Sequence, residues 1–115
     1  MYAEDPGLAS GRLDFVRYCS PCHGEDARGD GPLAARLEPP PKDLRLIAQR
    51  NGGNFPLDDL RAFVDGRTAV AAHNERVMPR WGEMFDGHNE EGLDPNKVVN
   101  RRIDRILRYV WTLQR

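Results

Sequence analysis

Cys19-Ser20-Pro21-Cys22-His23-Gly24 is the stretch that decides how this chain folds. Its two cysteines are the only ones in 115 residues, and a histidine follows the second directly. Three chemistries use two cysteines at this spacing. A redox dithiol wants a strand-helix-strand setting and gives His23 no task. Zinc needs two further ligands at close spacing, whereas His73 and His88 lie 15 residues apart. Covalent haem attachment uses every residue: two intervening positions let both thiols add to vinyl groups on one porphyrin edge, and the next imidazole reaches the iron.

The composition points the same way. Lys and Arg number 17 against 18 Asp and Glu, a net charge of −1, which excludes the electrostatic footprint of a nucleic-acid binder or a polycationic membrane anchor. Only 39% of residues are hydrophobic, while 11 Gly and 9 Pro imply much loop. A bound apolar group therefore helps to fill the core. No apolar run approaches the ~18 residues that cross a bilayer, and the N-terminus lacks the basic-then-apolar pattern of a signal peptide. The expectation is one soluble domain over residues 1–115.

Helical signals stand at both ends. Asp5-Pro6 supplies a cap and a first-turn proline, and Leu8, Gly11, Phe15 and Cys19 recur at three- or four-residue intervals, predicting a helix over 6–19. Gly11 has no side chain and allows a second helix to cross closely. From 24 to 56, Gly24, Gly29, Gly31, Gly52, Gly53, Pro32, Pro39-Pro40-Pro41 and Pro56 predict mostly loop, with a short helical turn near 33–37. Leu57, Leu60, Phe63 and Val64 predict an amphipathic helix stopped by Gly66. Asp94 caps and Pro95 starts a last helix whose stripe is Val99, Ile103, Ile106, Val110 and Leu113, flanked by Tyr109 and Trp111. Lys97, Arg101, Arg102, Arg105 and Arg108 make it basic, as a solvated face would be.

A second axial ligand comes from Met78, in Val77-Met78-Pro79-Arg80-Trp81-Gly82, 55 residues beyond His23. Pro79 biases Met78 toward extended backbone and interrupts helix, which suits a loop presenting one sulfur. Met84 lacks a following proline; His73 is the rival imidazole; His88 lies in a hydrophilic run with Asp86, Glu90 and Glu91 that lacks the ligand spacing of a calcium loop. A free carbonyl of the proline run can accept from the unligated nitrogen of His23. Haem propionates need donors, and the indole of Trp81 and the guanidinium of Arg50 or Arg67 are candidates.

On CxxCH-Gly, the later Met-Pro followed by an aromatic-Gly pair with Arg80 inserted, and helices at both ends, the chain resembles class I cytochrome c. Within that class it is most similar to the small bacterial monohaem members. The resemblance spans nearly the whole chain. It implies an all-α fold in which N- and C-terminal helices cross at Gly11, Phe15 and Cys19, with loops wrapping one covalent haem c. It implies iron ligation by His23 and Met78, and points to Pro41 as the acceptor for His23 with Leu44 as the apolar contact, Pro32 and Leu33 being the competing placement. The function it implies is one-electron transfer between redox partners, a dehydrogenase, oxidase or reductase, by a non-enzymatic monomer or subunit in the periplasm. A haem sensor or small peroxidase-like enzyme with an open sixth site is the alternative.

Overall fold

A computed structural model describes residues 6–67, 78–86, 92 and 94–115. Helix α1, Pro6–Asp14, continues through a π-helical turn, Phe15–Cys19, into α2, Ser20–His23. Two 3₁₀ turns, Ala34–Arg36 and Leu44–Leu46, follow, the second running into α3, Ile47–Arg50. Then come α4, Leu57–Asp65; α5, Trp81–Asp86; and α6, Pro95–Thr112. The architecture is all-α, with no strand among the described residues.

The helix entering the cysteine motif is longer than the 6–19 expected, and its chemistry explains why. Pro21 has no N–H and would normally end a helix. Here the amide of Ser20 reaches past the usual acceptor to Phe15, and the Ser20 hydroxyl donates to the Val16 carbonyl at 2.5 Å. The Val16 carbonyl, which the Ser20 amide bypasses and Pro21 has no N–H to reach, is thus satisfied by a side chain, and the chain turns on to His23.

Helix α6 starts where the sequence predicts, with the Asp94 carboxylate accepting from the Asn96 amide at 2.9 Å. It buries Val99, Ile103, Ile106 and Val110, and also Leu107, which widens the stripe; Leu113 is half-buried. Phe15, Val99 and Ile103 form the fully enclosed centre, and Phe15 meets Tyr109 at a ring separation of 5.5 Å. Trp111 is half exposed and stacks on Phe55 at 5.0 Å.

Helices α1 and α6 cross at Gly11, where a Cβ would run into the carbonyl oxygen of Arg105 and lie 2.5 Å from its carbon. Beside the crossing, Arg102 donates to Asp14 at 3.1 Å and to the Tyr18 hydroxyl at 3.3 Å, and lies over the Phe85 ring. Arg61 on α4 bridges Asp104 on α6 at 2.5 Å and Asp58 at 2.9 Å. Arg102 is therefore half-buried and engaged in structure, not part of a solvated basic face; Lys97, Arg101, Arg105 and Arg108 are exposed.

Helix α4 ends at Gly66 in the left-handed region, φ 71°, as expected. Val64 is buried and Leu57 and Leu60 are half-buried, but Phe63 is 50% exposed. Positions 57, 60 and 64 share one face, and Phe63 falls about 100° of helical rotation off it.

Gly11→Ala is expected to destabilise the fold by about 1–3 kcal/mol in urea unfolding, because two backbones must separate. A gain of about 1 kcal/mol, the usual reward for alanine in an open helix, would show that the crossing is not this close.

Candidate functional site

Cys19, Cys22 and His23 occupy the end of one helix, and a loop closes over that end. The last four carbonyls of an α-helix have no partner within it. Here the Gly24 amide reaches Ser20 at 2.8 Å, Leu33 reaches Pro21 at 2.9 Å, Gly31 reaches Cys22 at 3.0 Å and Gly29 reaches His23 at 2.7 Å. The glycines make this closure possible. Gly29 has φ 89°, and a Cβ on Gly31 would strike the Ser20 carbonyl and lie 2.5 Å from that of Pro21.

The same loop reaches outward. Leu44 donates its amide to the Ala27 carbonyl at 2.8 Å, and Ala27 is fully buried at φ 63°. The Gln114 side chain then ties this segment to the end of α6, donating to Leu44 at 2.7 Å and accepting from the Ala48 amide at 2.9 Å. Asp43 caps the 3₁₀ turn through the Arg45 amide, and the hydrogen-bonded Arg45 guanidinium holds its carboxyl down at about 2.

His23 Nδ1 lies 3.4 Å from the carbonyl of Lys42. A carbonyl only accepts, so Nδ1 carries the proton in this contact and Nε2 has its lone pair. Burial lowers the His23 pKa and so favours the neutral imidazole, the form able to ligate a metal, while the backbone hydrogen bond opposes that shift. The acceptor is one residue beyond the expected Pro41; both carbonyls lie beside Gly29, where a Cβ would stand 2.6 Å from that of Pro41 and 3.2 Å from that of Lys42. Pro32 and Leu33, the competing pair, are exposed.

The Cys19 thiol is buried, and desolvation, reinforced by Asp14 and Cys22, pushes its pKa up to about 12. Cys19 thus differs from the low-pKa nucleophile of a catalytic dithiol. Neither cysteine is in a disulfide. Among the described residues no three His, Cys, Asp or Glu side chains converge as a metal site made by protein alone would require.

Met78 is half-buried and packs, like Leu44, against the core cluster that contains Cys19 and Trp81. Trp81 is 8% exposed and lies 5.5 Å from the Tyr18 ring and 5.8 Å from that of Phe85. Its Nε1 is the one buried side-chain polar atom left without a hydrogen-bond partner among the described residues. Such an orphan costs about 1–3 kcal/mol unless something accepts from it. Arg50 is exposed and donates to the Asp43 carbonyl at 2.9 Å, while Arg67 grips Asp65. Met84 is 53% exposed. His73, His88, Val77 and the acidic run at 90–91 lie outside the described residues.

Two features of this site carried no sequence signal: Lys42, whose backbone alone acts, and Gln114, which serves from far along the chain. In the folded protein with both thiols free, Cys22 is expected to alkylate well before Cys19, with the difference vanishing in denaturant; equal rates in the native state would contradict the burial of Cys19. No protein-family model matches the chain, and neither the curated proteins nor the solved structures contain a match to it.

Proposed function

We propose that the chain binds one haem c covalently and serves as a one-electron carrier between redox proteins outside the bacterial cytoplasm. The observation that carries this is the helix end itself. Two thiols and an imidazole sit on one closed turn, and that imidazole has Nδ1 directed at a backbone carbonyl and Nε2 left for a metal. The residues present fit the group: the thiols are unbridged, the histidine is neutral, and the buried Trp81 indole lacks an acceptor.

When bound, the haem iron supplies a ferric/ferrous couple. Cys19 and Cys22 would tether it through thioethers, and His23 Nε2 would ligate its iron. The Lys42 carbonyl would hold the imidazole in one tautomer and raise its basicity, as such partners do. Met78 would be the second protein ligand, its thioether favouring the reduced state. Trp81 would donate its N–H to a propionate, and Leu44 would supply an apolar contact; Arg50, on the surface, is the weaker donor candidate. With His23 and Met78 both committed to the iron, no substrate would reach the metal, which is the property of a carrier and not of an enzyme.

Partners would be other redox proteins, met through small, charge-steered interfaces of under ~1,200 Å². Arg101, Arg105 and Arg108 are exposed on α6 and available to such an encounter. No helix among the described residues is long and apolar enough to cross a membrane.

Optical spectra of wild type and Met78→Ala test this. The wild type is expected to show the weak far-red sulfur-to-ferric-haem band and to resist carbon monoxide when reduced, and Met78→Ala to lose the band and bind carbon monoxide. A wild type that lacks the band and binds carbon monoxide readily would replace the carrier with a sensor or peroxidase-like protein.

A further inference from the structure

Asp65, at the end of α4, is the one buried charged residue among those described, at 8% exposure. Its carboxylate takes Arg67 Nε at 2.6 Å and Nη2 at 2.9 Å, and accepts from the Arg67 amide at 3.2 Å. Arg67 also reaches Asn96 on the first turn of α6 at 3.4 Å. This ion pair lies flat against Gly82: a Cβ there would run into Asp65 Oδ1 and lie 2.5 Å from Arg67 Nε. Gly82 is in the right-handed helix of α5, where glycine offers no conformational advantage, so closeness of approach is what it provides.

Helix α5 is thereby gripped on two faces. Trp81 and Phe85 enter the core, and Gly82 seats on the Asp65–Arg67 pair. Met78 precedes Trp81 by three residues, with rigid Pro79 between them, and the Arg80 carbonyl accepts from Glu83 at 3.1 Å, which joins that segment to the helix. Only Pro79 and Arg80 separate Met78 from α5, so a shift of the helix is passed to Met78 through that short link.

We propose that the Asp65–Arg67 pair against Gly82 is a latch that positions Met78 for the iron. Asp65 and Arg67 are positioning residues, acting on Met78 through α5. This rests on Met78 being the distal ligand.

The test uses the haem-loaded chain as wild type, Asp65→Ala, Gly82→Ala, the double variant and Met78→Ala, read by the far-red band and by carbon monoxide binding to the reduced form. Circular dichroism confirms that each is folded. Asp65→Ala removes the surface on which Gly82 rests, and Gly82→Ala wedges the same contact apart. Each is expected to shift Met78 from bound toward unbound by about tenfold, within the range for neighbours in one network. In the double variant the shortened side chain at position 65 makes room for the new Cβ at position 82, and part of the band returns. Should a variant not accumulate folded, Arg67→Gln, which removes the charged guanidinium facing Asp65 without adding volume, carries the same expectation. Single variants with the wild-type band, beside a Met78→Ala that lacks it, overturn the latch and leave the ligand standing. Losses in the single variants with no recovery in the double also overturn it. A Met78→Ala spectrum identical to wild type overturns the ligand assignment, and the latch with it.

Discussion

Where α1 crosses α6 the two backbones touch, with no side chain between them at Gly11. The closeness of that crossing sets much of what surrounds it. It brings Phe15 beneath Tyr109 and places Asp14 and Tyr18 within reach of Arg102. Arg102 in turn underlies Phe85, so α5 is held by a group that already joins the other two helices. The cysteine turn is the continuation of α1, and its position relative to α5 is inherited from the same approach. Dispersion and burial act over these surfaces only because the backbones come so near.

A second constraint orients the site within that frame. From the end of α6 a run of hydrogen bonds passes through Gln114 to Leu44, from Leu44 to Ala27, and from Gly29 to the His23 carbonyl, while Lys42 meets the His23 ring. The imidazole is therefore fixed both through its own backbone and through its Nδ1. Each backbone link is of ordinary strength, about 1 kcal/mol net, and the 3.4 Å contact to Lys42 adds a bias on the ring.

Much of this could be read from residues alone. Asp94-Pro95 and the apolar stripe behind it announced α6, Gly66 announced the end of α4, and Gly11 announced a close crossing, because each follows from local backbone chemistry. Cys19, Cys22 and His23 stood out because residue type and spacing carry the chemistry directly. What escaped detection depends on tertiary context. The helix expected over 6–19 runs on to His23 through a π turn, with the Ser20 amide bonded to Phe15 and its hydroxyl to Val16. Helices α3 and α5 are too short for periodicity to show. Lys42 contributes a carbonyl that every residue has, so no side chain could have marked it ahead of Pro41. Phe63 looked like a core residue and is exposed, since a face one step wide is decided by the neighbour it meets.

The π-helical turn at Phe15–Cys19 sets the phase of the helix on either side of it. An extra residue in one turn rotates everything beyond it by about 100° relative to an unbroken α-helix. The same rod thus carries two independent headings, one aimed by Gly11 and Phe15 at α6 and one that aims Cys22 and His23 at the closing loop. The wide turn absorbs one residue of the run from Gly11 to His23. A chain with both motifs intact, one residue fewer between them and an unbroken α-helix would aim its histidine the same way, whereas this chain wound as a plain α-helix would turn it to a different quarter of the molecule.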